Sequence, residues 1–343
     1  MNTPQRILFV RTDRLGETLL TLPVIAGLKA ALPRATITCL VDSSLSPLVA
    51  RATGVDAVMA SEHSPRSWFR RAVRLAGRLR PNQFDAAIVS NPMKELHLAV
   101  WLSGIPRRIG YDHKWSWMLT HPVPDRKALG EQHEVEHHLR LVRELGVPVS
   151  VPPSWGFPPF PREQEDVLQM LEREGVGRRE PLIVVHPWAS MAVKQWPAER
   201  YQCLIEWTMK AWPVRVVVIG GAESAGRMQE VRSTNRSVVS LAGRLTLVQL
   251  AALLQRAQLL VSGDSGPVHL AAAVQTKTVV LFGTTQAATG PRRWGPWGSA
   301  GHTVIWKPSM DAITGEEVFD ALAHQLDPAR ASRPDAASSP LRA

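Results

Sequence analysis

Leu259-Leu260-Val261-Ser262-Gly263-Asp264-Ser265-Gly266-Pro267-Val268-His269-Leu270-Ala271-Ala272-Ala273 is an apolar run, a turn of small residues and a second apolar run. The first run has the length and branching of a buried strand; the second, opened by Pro267, has those of a helix. An apolar strand delivered through a short turn into a helix is the unit of a parallel sheet covered on both faces. The turn also has chemistry. At a helix start the Ser265 and Gly266 amides point outward, the dipole favours negative charge, and glycine lets a ligand come close, all of which suit a diphosphate. An ordinary N-cap and turn need the same residues, and this segment alone leaves both readings open.

The same grammar extends outward in both directions. Strands are expected at residues 182–186, 214–219, 238–241, 259–262 and 278–282, with helices near 198–210, 226–231, 247–256 and 268–274. Earlier in the chain come strand 7–10, a loop, helix 18–31 stopped by Pro33, strand 36–41, a short helix 46–53, and strands 57–60 and 86–90. Strands alternating with helices predict an α/β fold with doubly wound parallel sheets. Prolines 148, 152, 153, 158, 159 and 161 surround Trp155 and Phe157, a composition that neither continues a helix nor joins a central strand. The reading is therefore a domain over residues 1–150, a linker region over 151–180, a second domain over 181–326 and a disordered tail over 327–343. A length of 343 residues with 45% apolar content can fill two such cores.

Seven of the ten net positive charges sit in the first half, where residues 1–150 hold 20 Lys and Arg against 13 Asp and Glu. Such a bias suits a polyanion: a nucleic acid, anionic lipid headgroups or a phosphorylated glycan. No recognised nucleic-acid module accompanies the arginines, so no nucleic-acid partner is expected. Residues 65–79 read as a basic amphipathic helix, with Trp68, Phe69, Ala72, Val73, Leu75, Ala76 and Leu79 on one face and Arg70, Arg71, Arg74 and Arg78 on the rest. It serves either as a surface helix with solvated arginines or as a contact for lipid phosphates. Cys39 and Cys203 lie far apart with no CxxC spacing, which argues against a disulfide framework or zinc site. Residues 7–10 are cut off by Arg11 before they could form a signal peptide, and no run reaches the roughly 18 apolar residues of a span. A cytoplasmic protein is expected.

Further candidates lie at other strand ends. The loop after strand 182–186 carries Ser190 and Lys194, which would face the same crevice as Asp264 and His269; Lys194 could neutralise a departing phosphate. Gly220-Gly221-Ala222-Glu223 ends another strand with a glycine pair and a carboxylate where such folds read a ribose hydroxyl. In the first half, Arg11-Thr12-Asp13-Arg14-Leu15-Gly16-Glu17 puts two carboxylates, Asp13 and Glu17, on a strand-end loop, and either could take a proton from a hydroxyl. Asp13 could equally pair with Arg11 or Arg14, and Glu17 could be a first-turn helix acid. Gly263-Asp264-Ser265-Gly266 is also similar to the nucleophile segment of trypsin-like serine proteases, but those are disulfide-bearing β-barrels.

In combination these segments resemble glycosyltransferase family 9, the ADP-heptose:lipopolysaccharide heptosyltransferases, over nearly the whole chain to about residue 325. The resemblance is carried by residues 7–23 with Leu15-Gly16 and a following acid, His133-x-Val135 leading to Leu145-Gly146, and His186-Pro187 with Lys194-Gln195-Trp196-Pro197. Gly220-Gly221-x-Glu223, Leu241-x-Gly243, Asp264-Ser265-Gly266-Pro267-x-His269 and Phe282-Gly283-x-Thr285 complete it. It implies the GT-B fold, two Rossmann-like domains facing a central cleft, with the acceptor on the first domain and an ADP-activated heptose on the second. It further implies inverting transfer with no required cofactor or metal, and the sequence has no Asp-x-Asp. By the same resemblance Ser190, Lys194, Ser265, Gly266, Pro267 and His269 bind the diphosphate, Asp264 contacts the sugar, Glu223 the ribose, and Leu245 packs on the base. Arg11, Arg14 and Gly16 fall to the acceptor, an anionic lipopolysaccharide core at the inner face of the cytoplasmic membrane, where a monomeric peripheral protein is expected. At the base the chain departs from its family: Glu17 stands where an Asp directly follows the glycine, one methylene longer. Glu17 as base, Asp13 as base, or a divergent member with another acceptor or no activity all remain.

Overall fold

A computed structural model describes residues 3–61, 67–153, 155–231 and 238–327. The chain divides into two units, Met1–Pro158 and Pro159–Ala343. The first holds strands β1 (Arg6–Val10), β2 (Thr36–Asp42), β3 (Ala57–Ser61), β4 (Ala86–Val89), β5 (Arg107–Tyr111) and β6 (His121–Val123), in the order β3-β2-β1-β4-β5-β6. The second holds β7 (Leu182–His186), β8 (Arg215–Val218), β9 (Val238–Ser240), β10 (Leu259–Gly263), β11 (Lys277–Gly283) and β12 (His302–Lys307), in the order β12-β11-β10-β7-β8-β9. Every neighbouring pair is parallel. Each sheet thus runs 3-2-1-4-5-6 in its own numbering, and its winding reverses between β1 and β4 or between β7 and β10. Ligands of such sheets bind outside the carboxyl ends of the strands at those reversals.

Central strands are apolar throughout because helices cover both faces: Ile7, Leu8 and Val10 in β1, and Leu259, Leu260 and Val261 in β10, are fully buried. Sequence periodicity places β7, β8, β10 and β11 to within a residue or two and misses β5, β6 and β12. Those three are interrupted by Arg, Gly or Pro or lie half exposed at a sheet edge; Pro122 is tolerated because β6 has only one neighbour.

Four differences have local causes. The expected helix at 226–231 is instead a pair of three-residue turns, Ala222–Ser224 and Met228–Glu230, closed by i→i+3 bonds such as Val231 N–H to the Met228 carbonyl. The short helix at 46–53 stops at Val49. Residues 161–173, assigned to a linker from composition, form the helix Pro161–Arg173; it buries Val167 and Leu171, packs on helix Leu247–Arg256, and its Gln164 donates to Gln255 at 3.2 Å. The basic helix spans Trp68–Leu79 and buries Ala72, Ala76 and Leu79, while Phe69 and Val73, expected on the buried face, are exposed. Its expected start at 65–66 and the expected tail from 328 onward lie outside the described residues.

Candidate functional site

In the second unit β7 and β10 are neighbours, with His186 opposite Ser262, so the loops leaving them start together. The loop from β7 is pinned at its far end by Trp196, fully buried, whose indole N–H donates to the Ile313 carbonyl at 2.9 Å. Lys194 lies in the turn Ala192–Lys194 just before that anchor. The turn rests on β10: a Cβ at Gly263 would sit 3.0 Å from the Lys194 carbonyl oxygen, a tight approach that glycine relieves. Lys194 Nζ is thereby brought onto Asp264 Oδ2 as an ion pair. Burial pushes the Asp264 carboxyl above its ordinary value, and the Lys194 ammonium works against that rise.

Ser265 is extended (φ −154°, ψ 163°) and hands the chain to helix Gly266–Ala273 without capping it. Its hydroxyl is taken up instead by Ser262 Oγ at 2.8 Å and His186 Nδ1 at 3.2 Å. Burial lowers His186 to about 4, with the Glu223 charge opposing, so this imidazole is neutral near pH 7. The first amides of a helix have no carbonyl of their own helix to bond, and Pro267 has no N–H at all. What the turn presents is therefore the Ser265 and Gly266 amides, the positive end of a helix and an ammonium held on Asp264, two residues before that helix in sequence. A serine that opens a helix behind a parallel strand does not share the protease context.

Lys194 and Asp264 form one wall of a pocket of about 430 Å³, a size that suits a nucleotide-like ligand. Met191 and Val193 line a second wall, and Gly283, Thr284, Thr285 and Gln286 with Pro308 and Met310 close the rest. At Gly283 a Cβ would lie 2.2 Å from the Met310 amide nitrogen, so β11 and the segment before residue 310 can cross only there. The Thr284 loop is held by its own hydroxyl, which accepts from the Gln286 amide at 3.1 Å, and by the Trp306 indole, which donates to the Thr284 carbonyl at 2.7 Å.

The other expected donor residues, Ser265, Gly266 and Pro267 of the turn included, fall outside this pocket lining. Ser190 is exposed on the Lys194 loop, Leu245 is half-buried before helix Leu247–Arg256, and Glu223 is exposed with its carboxylate folded against Gly221. His269 is buried, 3% exposed, in the fourth position of helix Gly266–Ala273.

In the first unit Arg11 directly follows β1, and its side chain is buried rather than open to an acceptor. Its Nε donates to Asp13 Oδ1 at 2.7 Å and its Nη1 to the Ser90 carbonyl at 3.1 Å, with Glu134 Oε1 at 3.8 Å. Glu134 is wholly buried at the start of helix Glu134–Arg143 and also pairs with Lys127, whose ammonium lies 4.2 Å from the Tyr111 ring centroid. Burial alone would raise the Glu134 carboxyl, but Lys127 and then His138 and Arg11 outweigh it and hold it well below the usual carboxylate range. Since burial keeps His138 itself neutral, Lys127 and Arg11 are the charges that matter. Asp13 is thus tied down by Arg11. Glu17, half-buried in the short helix Leu15–Leu19, has no hydrogen-bond or ion-pair partner among the described residues. Gly16 is buried beside it and Arg14 is exposed. A polar recess of about 250 Å³ in the same unit is lined by Arg126, Glu131, Gln132, His137 and Arg140.

Sequence reasoning assigned no role to His186, Ser262, Lys127 or Glu134, or to the Gly283–Gln286 wall. Signals existed for three of them: His186-Pro187, Phe282-Gly283-x-Thr285 and His133-x-Val135 were recognisable as patterns, without a reason for the individual residues.

Two parallel sheets of one order, with a pocket at the strand ends of the second, define an α/β protein built from two Rossmann-like units. Residues 72–314 match the model of glycosyltransferase family 9 (heptosyltransferase), and the chain belongs to that family of glycosyltransferases. Lipopolysaccharide heptosyltransferase 3 of Escherichia coli is 28% identical over 298 residues, covering 82% of this chain and 83% of its own. The glycosyltransferase family 9 structure from Veillonella parvula superposes with a TM-score of 0.83 at 20% identity, covering 94% of this chain and 97% of its own. The E. coli heptosyltransferase WaaC, solved with ADP, gives 0.73 at 21% identity over 93% and 99%; it has also been solved with ADP-2-deoxy-2-fluoro heptose. These likenesses establish the two-unit GT-B fold. No helix among the described residues is long and apolar enough to cross a membrane.

Proposed function

We propose that the chain transfers a heptose from ADP-heptose to a hydroxyl of a lipopolysaccharide-core acceptor at the inner membrane face, with inversion at the anomeric carbon. The observation that carries this reading is the Lys194–Asp264 pair beside the Ser265-Gly266 helix start, at the sheet reversal and on the wall of the pocket. Asp264 uses one of the three ammonium protons and fixes where the other two point; with the two amides they would receive the diphosphate. That a family 9 relative binds ADP and an ADP-heptose analogue supports the choice of donor. Glu17 is the proposed base, because Asp13 is engaged by Arg11 while Glu17 has no such partner among the described residues.

In the reaction Glu17 takes the proton of the acceptor hydroxyl as its oxygen attacks the anomeric carbon. The bond from that carbon to the β-phosphate oxygen breaks, and ADP departs with its new charge facing Lys194 and the helix amides. The recess with Arg126 and Arg140 supports an anionic acceptor on the first unit. A second reading, a relative using another sugar nucleotide or binding one without turnover, is favoured by the extra methylene of Glu17. Calorimetry with ADP-, UDP-, GDP- and CDP-sugars separates these: ADP preference supports the proposal, and preference for another base refutes the donor assigned.

A further inference from the structure

Helix Trp68–Leu79 leaves Phe69 and Val73 in solvent, one turn apart, at 53% and 46% exposure. Beside them Arg70 and Arg74 are exposed at the same spacing. Helix Lys94–Leu102 packs along it, joined by the Arg71–Glu95 ion pair near the start and by Arg80 donating to the Leu102 carbonyl at the end. This second helix exposes Trp101, the turn Ser116–Met118 exposes Trp117, and the two rings meet at 6.0 Å. Met93, just before the second helix, is also exposed. At the other end Phe69 meets Trp68 at 6.0 Å, Trp68 meets Trp115 at 6.2 Å, and the Lys94 ammonium lies 4.4 Å from the Trp68 ring centroid. Residues 67–118 carry nine Lys and Arg against three Asp and Glu, so six of the chain's ten net positive charges fall in this stretch.

Scattered exposed apolar residues are ordinary, but rings and aliphatic side chains gathered on one helix pair among arginines are not. A protein partner's apolar surface would match the rings but not the six net positive charges of this stretch. The boundary of an anionic bilayer matches both: tryptophans settle at headgroup depth, arginine stems lie along apolar surface, and guanidinium heads meet phosphates. We propose that this face, Phe69, Val73, Trp101 and Trp117 with Arg70 and Arg74, docks the chain on an anionic lipid surface. It rests on the reading of a membrane-anchored acceptor, yet the two fail separately, because docking is measured with neither donor nor acceptor present.

The test is co-sedimentation of the full chain with vesicles of phosphatidylglycerol and phosphatidylcholine, against phosphatidylcholine alone. Binding is expected only to the anionic vesicles and is expected to weaken with added salt. The paired substitution Arg70→Glu with Arg74→Glu should lower partitioning by about tenfold or more. Trp101→Ser with Trp117→Ser should lower it comparably, while both variants keep the wild-type ADP affinity and melting temperature. Retention of binding by either pair overturns the proposal, as does failure of the wild-type chain to bind anionic vesicles or its preference for single-stranded nucleic acid over them.

Discussion

Replacing Lys194 by Met keeps the length and apolar stem of the side chain and removes its ammonium. Asp264, 11% exposed, then carries a carboxylate without its counter-ion, the lost partner having been 32% exposed. Breaking a fully buried pair from one side costs about 3–5 kcal/mol, and an exposed pair is worth under about 1 kcal/mol, so this half-shielded one falls at about 1–2 kcal/mol. The sign with pH follows from Asp264, whose folded value lies above its ordinary one. Its protonated form is the stabilising one, and that contribution is lost as pH rises through the folded value. Removal of Lys194 raises that value further, so the variant loses little stability near about pH 4 and most of the loss appears by about pH 7. Donor binding suffers as well: a charge-assisted hydrogen bond to phosphate is worth about 1.5–3 kcal/mol, so Kd for ADP should rise by about 10- to 100-fold. Titration calorimetry with ADP and melting curves at the two pH values read both effects. An unchanged Kd would refute the diphosphate role, and an equal stability loss at both pH values would refute the electrostatic account of the pair.

Glu17→Gln should lower kcat by about 10²- to 10⁴-fold with ADP affinity unchanged, whereas Asp13→Asn should cost far less; steady-state transfer showing the reverse order would make Asp13 the base. Glu134→Gln removes the buried carboxylate that pairs with Lys127, while Arg11 keeps Asp13, and should cost about 3–5 kcal/mol in urea unfolding. In the wild-type chain the Glu134 contribution is present above the unfolded carboxylate range and lost only as pH falls toward its lower folded value, so the deficit of the variant should shrink in strong acid. Gly283→Ala drives a Cβ toward the Met310 amide, which must shift; a loss of about 1–3 kcal/mol and weaker ADP binding are expected from melting and calorimetry.

The fold was legible where one physical demand acted alone. β7 and β10, buried on both faces, show it as unbroken apolar runs, and Pro267 after Ser265-Gly266 marks the helix start. β6 and β12 were not legible because edge strands are released from that demand. The basic helix misled because periodicity gives the angle between side chains and not which arc faces the sheet: Phe69 and Val73 lie only a step around the helix from Ala72 and Ala76. Within the site, Lys194 and Asp264 could be named as charged groups at strand ends, but their pairing depends on register between strands distant in sequence. Glu134 was invisible for the same reason, since the residues it neutralises, Arg11 and Lys127, come from two separate segments.

The central claim, that this family 9 chain moves a heptose from an ADP carrier, is tested most directly by supplying ADP-heptose with lipopolysaccharide-core acceptor and following the acceptor by mass spectrometry while ADP release is measured. One heptose added per ADP released, abolished by Glu17→Gln, is the expected result. Donor that binds yet is never transferred to any core acceptor would contradict it.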